Sequence, residues 1–309
     1  MLTIAVLSDI HSNYVALERC LGHALNAGAD SFIFLGDYVG DCAYPTKTLD
    51  MLYCLREKYR CIFLKGNRED YVLNYEKEPG AWKEYDSTTG VLYYTYWNLR
   101  RQDMDFFKSL PFKGEFEAAG LPRLTLCHGS PYRVNEKLLP GDGNTLSIME
   151  RDPNGYILCG HTHVQGEILL QGGGAAGSQA IAGAHEGRQN TENSKKAVLN
   201  AGSVGMPLYS GGKAQYMLLR GEGGVWQHEF VSLEYDVDAV IADLHSSGLS
   251  EKAPYWCTVS EKCLRTGDID HGVILGRAME LCKEKLGDCR WPDIPEECWA
   301  EAVREMEVK

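Results

Sequence analysis

Nowhere in the 309 residues do more than two Lys or Arg stand in a row, and 43 acidic residues against 31 basic ones leave a net charge of −12. Double-stranded nucleic acid and an anionic membrane surface both need a basic face, so neither is expected as an extended partner. A small anion remains open, because a bound metal reverses the local field. No apolar run approaches the roughly 20 residues of a membrane span. The opening MLTIAVLSDIHSN has no basic region ahead of its short apolar run, so no secretion signal is read there. The eleven cysteines are scattered and never form C-x-x-C. Reduced thiols in a cytoplasmic protein are the expectation. Internal repeats are lacking too.

The residues present alternate between strand and helix patterns. Leu2–Leu7, Ser31–Leu35 and Cys61–Leu64 are short apolar runs that read as buried strands. Between them, Leu17, Cys20, Leu21, Ala24 and Leu25 recur at helical spacing, and Gly28 is placed to end that helix. Pro45 suits the first turn of a second helix with Leu49, Leu52 and Leu55 inside. This is α/β organisation with a parallel sheet, whose loops after successive strands share one edge. Residues 71–110 read as aromatic and helical. Antiparallel strands are expected over 197–199, 214–219 and 225–231, and helices from Val237 onward. A catalytic domain over 1–236 would then carry a mobile Gly-rich insertion at about 166–196, and 237–309 would be a helical appendage.

What stands after the strands carries the chemistry. Ser8-Asp9-Ile10-His11 follows the first, Gly36-Asp37-Tyr38-Val39-Gly40 the second and Gly66-Asn67-Arg68 the third. Two later strands, Leu124–Cys127 and Tyr156–Cys159, deliver His128-Gly129 and Gly160-His161-Thr162-His163. Asp9, His11, Asp37, Asn67, His128, His161 and His163 offer carboxylates, imidazoles and an amide carbonyl, the donor set of a pair of first-row divalent ions. Two ions about 3.5–4 Å apart share a ligand, and Asp37 on the central loop is the natural bridge. Neighbouring Gly36, Gly66, Gly129 and Gly160 let the backbone close around a crowded site.

DxH, GDxVG, GN, HG and GHTH in this order resemble the calcineurin-like metallophosphoesterases, and among them the compact bacterial phosphodiesterase-type members. Asn200-Ala201-Gly202-Ser203 resembles a further element of that branch, so the likeness spans about three quarters of the chain. It implies a four-layer α/β/β/α sandwich. It also implies that Asp9, His11 and His163 bind one metal, Asn67, His128 and His161 the other, and Asp37 both. The cofactors would be two divalent cations, manganese first, with iron, zinc or nickel as alternatives. A hydroxide bridging them would attack phosphorus in line with the leaving oxygen.

Arg68 departs from the phosphatase branch, which commonly has His there as the proton donor. An arginine grips phosphate but keeps its proton near neutral pH. Asp37, Asn67, Arg68 and His128 are thus the expected catalytic residues, acting on a small phosphorylated substrate such as a phosphodiester or nucleotide. A short-oligonucleotide nuclease and a non-catalytic metal-binding scaffold are the rival readings.

Several residues have a plainer reading. Asp9 and Asp37 suit helix caps, and Arg68 either a phosphate contact or a salt bridge to Asp41, Glu69 or Asp70. Tyr93–Trp97 suits helix packing or a stacking wall. Cys257, Cys263, Cys282, Cys289 and Cys298 lack zinc-site spacing and read as packed thiols. His23, His185, His228, His245 and His271 are taken as structural or solvated. The tail holds 15 acidic and 9 basic residues, half of the net charge; it would cover the site or form an oligomer interface.

Overall fold

The structure is a computed structural model and describes residues 2–170, 180–181, 189–190 and 196–307. Strand β1 (Leu2–Leu7), helix α1 (Tyr14–Asn26), β2 (Ser31–Phe34), α2 (Pro45–Arg56) and β3 (Arg60–Phe63) open the chain. Helices α3 (Asn67–Lys77), α4 (Gly90–Trp97) and α5 (Arg101–Ser109) follow. Next come β4 (Lys113–Phe116), β5 (Leu124–Cys127), α6 (Gly143–Arg151) and β6 (Tyr156–Cys159). Strands β7 (Gly166–Leu170), β8 (Ala180–Ile181), β9 (Gln189–Asn190), β10 (Lys196–Asn200), β11 (Ala214–Glu222) and β12 (Val225–Leu233) lead into the tail. The tail is α7 (Val237–Ser246), α8 (Leu249–Lys252), α9 (Pro254–Thr266), α10 (His271–Leu286) and α11 (Glu296–Glu307).

These strands form two six-stranded sheets, ordered β3-β2-β1-β11-β12-β9 and β4-β5-β6-β10-β7-β8. Strands β1, β2 and β3 are parallel, as are β5, β6 and β10, while β1–β11, β11–β12 and β7–β10 are antiparallel. Alternation along the strands sets the layers. Ile4 and Val6 of β1 join Leu124 and Leu126 of β5, Leu158, Leu199 and Trp226 in the core between the sheets. Ala5 and Leu7 point the other way, into a core shared with Leu17 and Leu21 of α1 and Leu49 and Leu52 of α2. On the far side Ile157 and Val198 pack on Ile148 and Met149 of α6. The result is the helix–sheet–sheet–helix sandwich. Burying one of these leucines is worth about 1.5–3 kcal/mol, so the three layers of contact dominate the fold's stability.

Three expectations change. The strand-end loops come from two facing sheets, not from one edge of a single sheet, since β5 and β6 pair in the second. In the Gly-rich stretch, Gly166–Leu170 is a strand because Ile168, Leu169 and Leu170 pair with β10, and Lys196 already belongs to β10; residues 171–179, 182–188 and 191–195, with His185, lie outside the described residues. Leu25 is exposed despite its helical spacing, at 37%. The tail is helical, and four of its five cysteines, Cys257, Cys263, Cys282 and Cys298, are buried in an apolar cluster with Trp299 and Ile274, with Cys289 partly buried against it. That cluster also takes in Cys42, Val91, Met206 and Leu208, so the tail packs onto loops bordering the strand ends. No described helix is long and apolar enough to cross a membrane.

Candidate metal centre

Three of the loops that leave strands here, after β1, β2 and β6, are bent by residues that resist bending. Asp9, His11, Asp37, His161 and His163 all have φ between +50° and +65°, as does Asp41. Left-handed backbone costs a non-glycine residue roughly 1–3 kcal/mol. Six such residues use an appreciable share of a typical net stability of about 5–15 kcal/mol, so the surroundings must impose them. They do. The amides of Ile10 and His11 both donate to the Asp37 carbonyl (2.8 and 3.0 Å), and Asp9 N–H donates to Gly36 O (3.0 Å). Ser203 Oγ donates to the Asp9 carbonyl (2.8 Å), and Asn200 Nδ2 to Gly160 O (2.8 Å). The Asn200–Ser203 segment therefore ties the first and last loops together.

Glu69, read from sequence only as a salt-bridge partner, is a fully buried clasp. Its carboxylate accepts the amides of Asp37 (2.9 Å), Tyr38 (2.8 Å) and Gly66 (2.8 Å), joining the second and third loops. Burial, then the nearby Asp37 charge, raises its pKa to about 7. Asp9 and Asp37 are not the helix caps: Asn13 caps α1 through Oδ1, and α2 starts at Pro45 with no side-chain cap. The glycines act as expected at Gly160, where a Cβ would collide with Ser8 Oγ and Asp9 Oδ2.

The side chains converge. His11, His128 and His163 turn Nε2 inward, and each has an acceptor beside Nδ1. His128 Nδ1 lies 3.0 Å from Leu35 O, His163 Nδ1 2.7 Å from Met206 O, and His11 Nδ1 2.7 Å from Asp41 Oδ2. The last N–H is off line, so charge more than a directed hydrogen bond holds that pair. Protons on Nδ1 leave lone pairs on Nε2. Those Nε2 atoms meet Asp9 Oδ1 at 3.8 Å (His11), 3.9 Å (His128) and 3.3 Å (His163). Asp37 Oδ2 lies 3.8 Å from His11 Nε2 and 3.4 Å from His128 Nε2. Asn67 Oδ1 is 3.1 Å from His128 Nε2. In the neutral, metal-binding form of the imidazoles acceptors thus face acceptors: His11 Nε2 and His163 Nε2 are 3.0 Å apart, and buried Asp9 Oδ1 has no hydrogen-bond donor. A divalent cation satisfies that arrangement.

Two groups have their ligand atoms within 4.8 Å of one another: Asp9, His11 and His163, and Asp9, Asp37 and His128. His161 stands just outside both. Its amide donates to Asp9 Oδ2 (2.9 Å) and its ring packs on His128 at 5.1 Å. Burial and neighbouring His128 bring its pKa down to about 4. For His11 and His128 burial opposes the charged form, but Asp41 beside the first and Asp37 beside the second carry both up to about 9, so each Nε2 takes up a second proton that a bound cation would displace. Burial likewise opposes the Asp9 carboxylate, yet His128 and His163 hold it well below its usual range; His128 takes Asp37 to about 2.

Residues 2–165 match the family model for calcineurin-like phosphoesterases. The chain belongs to the calcineurin-like phosphoesterase family. It is accordingly a hydrolase of phosphoric esters, and the family works with divalent metal ions. This phosphoesterase is 27% identical over 258 residues to the uncharacterized protein MJ0912 of Methanocaldococcus jannaschii, covering 80% of the chain and 94% of that protein. It is similar in fold to a metallophosphoesterase from Sphaerobacter thermophilus (TM-score 0.69, 20% identity, 86% of this chain and 99% of that one). Protein PH1004 of Pyrococcus horikoshii is a second structural neighbour (TM-score 0.67, 18% identity, 87% and 100%).

Above the centre lies a cavity of about 380 Å³. His11, Asp37, Asn67, Arg68, His161 and His163 form its floor, and the tail supplies Trp256, Ile269, His271, Leu275 and Trp291 as a wall. Sequence reasoning missed Trp256 and set His271 aside. Arg68 is held by Asp41 (2.8 Å), so the plainer reading of it is realised, yet it also borders the cavity. Tyr93–Trp97 lies in helix α4, with Tyr94 buried and Trp97 exposed.

Proposed function

We propose that this phosphoesterase hydrolyses phosphodiesters or small nucleotide-type esters at a pair of divalent cations, manganese first. The observation that carries this is the set of inward Nε2 lone pairs around the unpartnered Asp9 oxygen. Asp9, His11 and His163 would hold one cation, and Asn67, His128 and His161 the other. Asp37 would span them. When bound, such a pair supplies Lewis acidity and an ionised water near neutral pH.

The protein's own groups do the rest. The acceptors beside Nδ1 fix each imidazole's tautomer and aim. Arg68 borders the floor with a guanidinium suited to two phosphoryl oxygens. Protonating a leaving group is harder. Arg68 keeps its proton, and burial lowers the pKa of His271, the cavity imidazole outside the proposed ligand set, to about 4. Esters with weakly basic leaving groups are therefore favoured over simple alkyl monoesters.

Hydrolysis of bis-p-nitrophenyl phosphate by metal-stripped protein, with and without Mn²⁺ and with Asp37→Asn alongside, tests the reading. Turnover that needs Mn²⁺ and vanishes in the variant supports it. No turnover under any divalent metal refutes the diesterase assignment.

A further inference from the structure

The cavity has two chemically different sides. Its floor is the cluster of imidazoles, carboxylates and Arg68; its tail-built wall is largely apolar, with Ile269, Leu275 and Trp291 all keeping exposed surface. Apolar surface in a concavity beside a charged floor is the usual form of a ligand subsite. The wall is also rigid where it meets the floor. Trp256 Nε1 donates to Asp41 Oδ1 (2.8 Å), its ring lies 4.5 Å from His271 at an interplanar angle of 31°, and Trp299 packs at 5.9 Å behind it. His271 is in turn anchored by Ser260 Oγ at 2.9 Å.

We infer that this wall is the leaving-group subsite, and that it takes phosphoesters whose alcohol carries one flat aromatic or similarly compact apolar group. This rests on the phosphoesterase reading above. Size and charge both restrict the occupant. At about 380 Å³ the cavity stands near the lower end of ligand pockets, about 300–1,000 Å³, which leaves room for one ring system beside a phosphate. The tail carries a net negative charge, so it offers no basic track along which a polymeric phosphate could run. A flat ring offers Trp291 and Leu275 far more surface to pack on than a methyl or ethyl group does.

Calorimetric titration of the Mn²⁺-loaded full chain with phenylphosphonate and methylphosphonate tests this without turnover. Phenylphosphonate should bind at least tenfold more tightly. Trp291→Ala and Leu275→Ala should each cut that preference severalfold and leave methylphosphonate binding unchanged; both residues are partly exposed, so neither truncation empties the core. Equal binding of the two phosphonates, or a preference that survives both substitutions, overturns the subsite. So does absence of phosphonate binding while bis-p-nitrophenyl phosphate is still hydrolysed. If neither phosphonate binds and the diester is untouched, the phosphoesterase reading falls with it.

Discussion

Asp41 joins the metal-ligand loops to the C-terminal helices through Trp256. One carboxylate oxygen accepts the Trp256 indole N–H at 2.8 Å, and the other lies 2.7 Å from His11 Nδ1 and 2.8 Å from Arg68. The guanidinium stands 5.8 Å over the indole ring. Burial opposes the Asp41 charge, but Arg68 and His11 hold its pKa well below the usual range, so it stays ionised. One buried carboxylate thus aligns a candidate ligand, a candidate phosphate clamp and the cavity wall.

Replacing Asp41 with Asn keeps an acceptor for Trp256 and removes the charge that orients His11 and Arg68. Groups in that position tune metal affinity by about 10- to 100-fold. Asp41→Asn should weaken Mn²⁺ binding by that factor in calorimetry while leaving the circular dichroism spectrum intact. Unchanged affinity would show that His11 needs no such partner.

Glu69 carries the loops mechanically. Gln in its place turns an amide donor toward backbone N–H groups that now meet a carboxylate. Glu69→Gln should lose about 1–3 kcal/mol of stability in urea denaturation at neutral pH. A variant as stable as the parent would remove Glu69 from this role.

A steric prediction isolates Gly160. Its φ is not in the left-handed region, so Ala meets no such backbone penalty there, but its Cβ would collide with the Ser8 side chain and stand about 2.5 Å from Asp9 Oδ2. Gly160→Ala should displace Asp9 and weaken Mn²⁺ binding at least tenfold, read by the same titration. Retained affinity would mean that the loop gives way without cost.

The positions of most strands and the identity of the converging loops were legible in the sequence, because short apolar runs and punctuating glycines mark both. Asp9, His11, Asp37, Asn67, His128, His161 and His163 could be read as candidates because each stands in a loop shortly after a strand. Their partners could not. Asp41 touches Trp256 across 215 positions, and His271 reaches the cavity from the first turn of α10 with no local pattern to mark it. The assignment of β5 and β6 to a second sheet also depends on long-range pairing that periodicity does not encode. Glu69 was readable in principle: it stands three residues after Gly66, the spacing of a capping box.

His228 offers a pH test remote from the centre. It is buried on β12, Glu167 is 3.5 Å away, and neither ring nitrogen has a hydrogen-bond partner among the described residues. Burial lowers its pKa from 6.5 to about 4. Because the folded value is the lower one, its contribution is whole above pH 6.5 and is lost as pH falls toward 4. At pH 5 the loss is about 2 kcal/mol. His228→Leu should therefore lose about that much less stability than the parent between pH 7 and pH 5 in urea denaturation. Parallel losses would assign the acid sensitivity elsewhere.

Metal stoichiometry tests the central claim most directly. Stripped protein dialysed against Mn²⁺ and analysed for bound metal should retain about two ions per chain. Asp9→Asn and Asp37→Asn should each retain fewer. A parent protein that retains none, under conditions where its fold is intact, would contradict the account.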